Sequence, residues 1–314
     1  VVFTSNVTEA LNVGIFGLLN PGDHVLTTGM EHNSVMRPLR HLEKARGITL
    51  TILPTDPAGA INPDDITKLL KAKTRLIIIN HASNVTGAVA DLGAIGARKG
   101  KALLMVDAAQ SAGVFPLDME TFAIDFLAFT GHKGLFGPTG TGGFLLRQGL
   151  AVQPLTMGGT GSNSELEEQP HMMPDCHESG TPNTLGIGGL TAGLEFIKKK
   201  GKETIRLHEE HLTRLLLDGL GQIKGLTVHG PPASTSRGSA VSLTMADKSV
   251  ADLAFLLDRQ YGIMARAGLH CAPAAHRSIS TFPQGTLRLS PGLFNTEDDI
   301  QAALTALDQI STKP

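Results

Sequence analysis

Lys133 lies in the stretch Phe129-Thr130-Gly131-His132-Lys133-Gly134-Leu135-Phe136-Gly137-Pro138-Thr139-Gly140-Thr141-Gly142-Gly143, directly after an apolar run that reads as a strand. A lysine in that position, beside histidine and among glycines that permit close backbone approach, can be desolvated and used as a nucleophile. Its plain alternative is a solvated surface lysine, the usual fate of that residue type. The run Leu103-Leu104-Met105-Val106-Asp107-Ala108-Ala109-Gln110 ends in an acid. A carboxylate at the carboxyl end of a buried parallel strand faces the ligand crevice, where it can keep a pyridine nitrogen protonated; otherwise it caps the next helix. Ser5-Asn6-Val7-Thr8-Glu9-Ala10 opens the first helical pattern, and its free N–H groups and Thr8 hydroxyl suit a phosphate or simply a capped start. Near the other end, Arg266-Ala267-Gly268-Leu269-His270-Cys271-Ala272-Pro273 sets a cysteine in a Gly/Pro-bounded loop. Positive neighbours favour the nucleophilic thiolate, but taken alone Cys271 reads as a small buried hydrophobe. Among twelve histidines, neither His270-Cys271 nor Cys176-His177 has CxxC or HxxxH spacing, so no metal site is assigned.

The elements that must position these residues follow from apolar patterning. His24–Thr28, Ile48–Pro54, Arg75–Asn80, Ala102–Val106 and Asp125–Phe129 read as strands of about five residues bounded by turn signals. Between them, a helix capped by Thr8 runs to Leu19, and helical patterns cover Val35–Arg46, Pro63–Lys71 and Leu92–Lys99. Such alternation implies a mostly parallel sheet covered by helices on both faces, with ligands at the carboxyl ends of the strands. From about residue 185 the pattern changes. Helices Leu185–Lys199 and Glu203–Leu220 flank Lys200-Gly201-Lys202, and then come strands Leu226–His229, Ala240–Met245, Ile263–Arg266 and Thr286–Leu289 with helices Val250–Tyr261 and Thr296–Ile310. That is an α+β unit with an antiparallel sheet, and it places the domain boundary near 200: a large domain over 1–200 and a small one over 201–314. Gly158–Pro174, rich in glycine, serine and acids, reads as a mobile loop.

Bulk numbers narrow the partners. With 41% hydrophobic and 18% charged residues, the chain belongs among ordinary globular proteins, and a net charge of −2 without charge blocks gives no reason to expect nucleic acid or an anionic membrane. A small, neutral-to-anionic substrate fits better. No apolar run approaches the roughly 20 residues that span a bilayer. Two cysteines are too few for a disulfide framework, although Cys176 and Cys271 could pair; a reducing, cytoplasmic setting is expected. Val1-Val2-Phe3-Thr4 opens as though already inside a strand, so the N-terminal part of the fold is expected to be missing.

Eight motifs recur in order: Thr8-Glu9 with Asn12, Glu31-His32-Asn33, Ser83-Asn84-Val85-Thr86-Gly87, Val106-Asp107-Ala108-Ala109-Gln110, Gly131-His132-Lys133, Gly180-Thr181-Pro182-Asn183, Arg266 through Cys271, and Arg288 through Asn295-Thr296. Together they resemble the class V aminotransferase-fold family of pyridoxal 5′-phosphate (PLP) enzymes, specifically its cysteine desulfurase and selenocysteine lyase branch. The resemblance covers essentially the whole chain. It implies the type I PLP-dependent transferase fold, an α/β architecture with a smaller α+β C-terminal domain. By the same resemblance Lys133 carries PLP as a Schiff base, Asp107 pairs with the pyridinium nitrogen and His32 stacks on the ring. Asn84 and Gln110 would bond the phenolic oxygen, while Val7, Thr8, Thr130 and His132 would hold the phosphate region. Thr181 matches a threonine that reaches the phosphate of a neighbouring subunit, which implies a homodimer. Arg288 would clamp the substrate carboxylate, with Arg266 and Asn84 also on the substrate side.

The implied reaction takes sulfur from L-cysteine as a persulfide on Cys271 and leaves L-alanine, with Lys133, Cys271, His32 and His132 as the catalytic set. Only 17 positions (288 − 271) separate Cys271 from Arg288, a short loop like that of the branch that passes sulfur to an acceptor protein, with iron–sulfur cluster assembly as a setting. Two departures stand out: the family's segment before the Thr8 motif is absent, and Leu269 stands where close desulfurases carry another histidine. The alternatives are a selenocysteine lyase, another C–S lyase or aminotransferase of the same fold, and a non-catalytic homologue acting as a binding module. Retention of Lys133, Asp107 and Arg288 argues against the last.

Overall fold

The computed structural model describes residues 1–312. Strands β2 (His24–Thr28), β3 (Thr49–Leu53), β4 (Thr74–Asn80), β5 (Leu103–Asp107) and β6 (Phe126–Thr130) run parallel in one sheet. The sheet has seven strands in the order β1-β7-β6-β5-β4-β2-β3, completed by β7 (Gly142–Leu146), antiparallel to β6, and β1 (Val2–Thr4), antiparallel to β7. Alternation along each central strand divides its side chains between two apolar layers. Leu76, Ile78, Leu103 and Met105 pack on one face with α1 (Val7–Leu18) and α2 (Asn33–Arg46). Ile77, Ile79, Leu104 and Val106 pack on the other with α3 (Asp64–Leu69) and α4 (Leu92–Arg98).

After α5 (Thr184–Lys200) and α6 (Lys202–Leu220) comes a second, fully antiparallel sheet in the order β10-β11-β9-β8, built of β8 (Leu226–His229), β9 (Val241–Met245), β10 (Arg266–Gly268) and β11 (Thr286–Leu289). Its apolar face shares a core with α6, α7 (Val250–Tyr261) and α9 (Glu297–Thr312).

The expected α/β class and mostly parallel sheet are present, with local corrections. Asn6, not Thr8, caps α1, its Oδ1 accepting from Glu9 N at 3.0 Å; Thr8 lies inside the helix. Helix α2 starts two residues early because His32 caps it, Nδ1 accepting from Ser34 N at 3.1 Å. The strand expected at Ile263–Arg266 is shifted to Arg266–Gly268, since left-handed Gly262 ends α7 and Ile263 N bonds back to Leu257 O at 3.0 Å. Strand β7 and the short helix α8 (Pro273–Ser278) were not expected, whereas β1 falls on the Val1–Thr4 stretch that reads as a strand. Strand β7 opens on two glycines that resemble a loop, yet a Cβ on Gly143 would lie 2.5 Å from Val2 O, so the glycines admit the edge strand β1. Gly158–Pro174 carries neither helix nor strand. Both cysteines are free thiols, which removes the Cys176–Cys271 pairing.

Candidate active site

Four of the parallel strands end at one edge of the sheet and deliver the polar residues there. Strand β2 leads into Glu31 and His32, β4 into the 83–88 loop with Asn84, β5 ends on Asp107, and β6 ends on Thr130 before His132 and Lys133. From the second sheet, β10 and β11 pair in register so that Arg266 lies opposite Arg288, and the turn after β10 carries His270 and Cys271.

Asp107 is 3% exposed, and its Oδ1 accepts from Ala109 N at 2.9 Å. Burial raises its pKa, with the Ala109 hydrogen bond and the nearby Lys133 cation pulling the other way. Lys133 is exposed, and desolvation by the surrounding protein lowers its pKa. Asp107 opposes that lowering, and Arg288 and Arg266 reinforce it. The result is a lysine more easily deprotonated than a surface lysine, as a nucleophilic amine requires.

His32 is half-buried and pushed down to about 4 by burial, then by Lys133, Arg266 and Arg37. It is neutral at physiological pH, and because Nδ1 accepts from Ser34 N, the proton resides on Nε2. Ser34 Oγ joins His32 Nδ1 and Thr8 Oγ1, each at 2.8 Å, which ties the α1 N-terminus to the His32 ring. Thr130 Oγ1 and His132 Nδ1 are 3.0 Å apart, with Thr130 buried and His132 exposed. Gln110 is half-buried three residues beyond Asp107, and Val7 is half-buried at the first position of α1.

Asn84 joins the two sheets. Its Nδ2 donates to His270 O at 2.7 Å, and its carbonyl oxygen accepts from Arg288 Nη1 at 2.8 Å. Cys271 is exposed, correcting the reading of it as a buried hydrophobe, and Arg266 Nη2 lies 3.8 Å from its Sγ. The turn that presents it is strained: His270 (φ 48°) and Cys271 (φ 58°) are consecutive non-glycine residues in the left-handed region. Asn33 N to Cys271 O at 2.8 Å and Ala272 N to Leu269 O at 2.8 Å hold that turn. Thr181 stands apart, exposed on a cavity lined with Ser5, Glu9 and Asn183 that includes none of Lys133, Asp107 or His32.

An amine of lowered pKa, a buried acid and two arginines thus lie within electrostatic reach of one another and of a free thiol. A profile of the aminotransferase class-V family matches residues 1–303. The chain belongs to the class-V aminotransferase family. Among curated relatives, it is 34% identical to a probable cysteine desulfurase of Halalkalibacterium halodurans, over 98% of this chain and 77% of the relative. It is 31% identical to a cysteine desulfurase of Serratia proteamaculans, over 99% and 77%. Similar solved structures include the apo cysteine desulfurase of Thermococcus onnurineus, with a TM-score of 0.91 at 30% identity, covering 99% of this chain and 78% of that one. Another is the cysteine desulfurase CsdA of Escherichia coli in an S-sulfonic acid form, with a TM-score of 0.87 at 29% identity, covering 98% and 78%.

This class-V aminotransferase has polar capacity to spare at the site: Asn84 Oδ1 and Arg288 Nε are buried without a partner among the described residues. Those atoms, the Asp107 carboxyl, the Lys133 amine and the hydroxyls at the α1 N-terminus fit PLP and an amino-acid carboxylate. One site residue had been given no role from sequence. Glu31 is wholly buried; its Oε1 accepts from Thr28 Oγ1 at 2.7 Å and Asn80 N at 2.9 Å, while Oε2 has no partner among the described residues. Its sequence signal was its place in the Glu31-His32-Asn33 motif, which assigned it no part in the chemistry.

Proposed function

We propose that the protein is a PLP-dependent cysteine desulfurase, moving sulfur from L-cysteine to Cys271 and leaving L-alanine. The observation that carries the reading is an exposed thiol beside Arg266, on a strained turn tied by Asn84 to Arg288, at the cleft that holds Lys133 and Asp107. Desulfurase-named relatives over nearly the whole chain support it.

PLP, when bound, supplies an electron sink that makes the substrate Cα proton acidic and the Cβ–S bond cleavable. Lys133 would hold it covalently through Nζ and, once released, move the Cα proton at the same atom. Asp107 would keep a proton at the ring nitrogen, and neutral His32 would cover the ring face with Nδ1 fixed by Ser34. The N–H groups of Val7 and Thr8, with Thr130 and His132, would take the phosphate; Asn84 and Gln110 would face the phenolic oxygen. Arg288 would take the substrate carboxylate as a two-pronged donor, with Arg266 beside it. Cys271 Sγ would attack the substrate sulfur: an S–S bond forms, the Cβ–S bond breaks with its electrons going to Cβ, and a proton to that carbon together with return of the Cα proton from Lys133 Nζ completes alanine.

We read Thr181 as serving the site of a second copy in a homodimer, the division near residue 200 as the boundary between two domains, and an acceptor protein as the recipient of the persulfide. The test is direct. PLP-loaded protein given L-cysteine and a reductant should release sulfide and alanine in equal amounts, and Cys271→Ala should stop it. Loaded protein should absorb visible light, with the band lost in Lys133→Ala. Sulfide release that survives Cys271→Ala, with selenocysteine turned over in preference to cysteine, would favour the lyase alternative instead.

A further inference from the structure

Arg237 is 8% exposed, and burial lowers its pKa to about 10, so it remains a cation. Among the described residues no acid shifts it; its donors go to backbone carbonyls. Nη1 donates to Pro231 O, Nη2 to Thr86 O at 3.0 Å and to Ala240 O at 2.8 Å, and Nε to Gly238 O at 3.4 Å. Burying a cation on carbonyls alone is costly, and a lysine has too few fixed donors to reach all four. Three of those carbonyls belong to the 231–240 segment that leads into β9. The fourth, Thr86 O, belongs to the loop that carries Asn84.

That loop is stiff. Ser83 N bonds Ala88 O at 2.9 Å, Gly87 N bonds Ser83 O at 3.1 Å, and Thr86 N bonds Ser83 Oγ at 3.1 Å. Gly238 N adds a bond to Gly87 O at 2.8 Å, and Ala88 and Arg237 form an antiparallel bridge. Gly87, at φ +72°, lets the segments meet: a Cβ there would lie 2.7 Å from Ala240 O and 3.1 Å from Arg237 Nη2. At the opposite end of the loop, Asn84 receives Arg288 through its carbonyl oxygen and donates to His270 O. A displacement at Thr86 therefore passes through a stiff turn to the arginine of the substrate side and to the turn that presents Cys271.

We propose that Arg237 is a positioning residue of the active site, fixing the 83–88 loop so that Asn84 aims Arg288 at an anionic group beside Cys271. The inference rests on the desulfurase reading only for the identity of the substrate. Its primary test needs no turnover: the rates at which iodoacetate and iodoacetamide alkylate Cys271 in the full protein, followed by mass spectrometry of the Cys271 peptide. A correctly aimed Arg288 favours the carboxylate reagent, and Arg288→Gln sets the baseline ratio. Arg237→Met should lower the iodoacetate-to-iodoacetamide ratio by about 3–10-fold toward that baseline, with the iodoacetamide rate within about twofold of wild type. In the cysteine assay the same variant should raise KM about tenfold with kcat held within about threefold. Should Arg237→Met not fold, Arg237→Lys gives the same readout with a smaller change. An unchanged ratio, or both reagents accelerating together as in general loosening, overturns the proposal. A wild type that fails to release sulfide would sink the desulfurase reading while leaving the alkylation ratio to decide this one.

Discussion

Glu31 offers a sharp test of the electrostatics under the site. Burial, opposed by hydrogen bonds from Asn80 and Thr28 and reinforced by Asp107, raises its pKa from 4.5 to about 8. Between those values the native protein keeps a proton that the unfolded chain has lost. The native state therefore binds more protons, and stability falls as pH rises through that window: the contribution is intact below 4.5 and gone above about 8. At about 1.4 kcal/mol per pKa unit, the loss between pH 5 and pH 8 amounts to at most about 3–4 kcal/mol. Glu31→Gln preserves the acceptor for Thr28 and Asn80 and carries no charge at any pH. Urea unfolding of wild type and variant, at fixed cofactor concentration, should give a stability difference that shifts by that amount in favour of glutamine between pH 5 and pH 8. Activity at pH 7 should differ by no more than about threefold, because wild-type Glu31 is then already neutral. A difference independent of pH would mean that Glu31 is ionised in the native protein, and the argument from burial would be wrong.

Other substitutions test separate links. Asn6→Ala removes the Glu9 N bond that starts α1 and should cost about 1 kcal/mol in denaturant unfolding, with weaker phosphate-dependent PLP uptake. Gly143→Ala forces a Cβ against Val2 O and should cost roughly 1–3 kcal/mol, seen as a lower Tm, by prising β1 from β7. Arg288→Lys keeps the charge but not the fork that reaches Asn84 O; KM for L-cysteine should rise about 10–100-fold in steady-state assays, more than kcat falls.

How much of this was legible in the sequence depended on how local the cause was. Strands β2, β4 and β5 announce themselves because each is a β-branched or leucine-rich run of five to seven residues bounded by turn signals, and β11 and α7 fall where the pattern places them. Strand β7 was hidden because the requirement for Gly142 and Gly143 is set by Asn6 and Val2, more than 130 positions away. The cap of α1 shifted from Thr8 to Asn6 because two good capping residues stand two positions apart; Asn6 takes the Glu9 N bond while the Thr8 hydroxyl turns to Ser34. Within the site, Lys133 and Asp107 could be singled out as polar residues at the ends of apolar strands. Glu31 and Arg237 could not, since their partners Asn80 and Thr86 lie 49 and 151 positions off.

Electrostatics ties these residues to the ligand they await. Lys133, Arg266 and Arg288 influence one another across the cleft, and each lowers the pKa of a neighbouring base: Lys133 that of His32, Arg288 and Arg266 that of Lys133. Against these cations stands Asp107, which is buried, while Glu31, which burial keeps protonated near neutral pH, adds no charge. A ligand with two anionic ends, one at the α1 N-terminus and one at Arg288, offsets the mutual repulsion that a neutral ligand would leave in place. As that charge arrives, the lowering of Lys133 by its arginine neighbours weakens and the amine regains affinity for a proton. The same lysine is thus easier to use as a nucleophile before the anions bind and a better proton holder afterwards, the order in which a lysine must act if it first holds a cofactor and then moves a substrate proton.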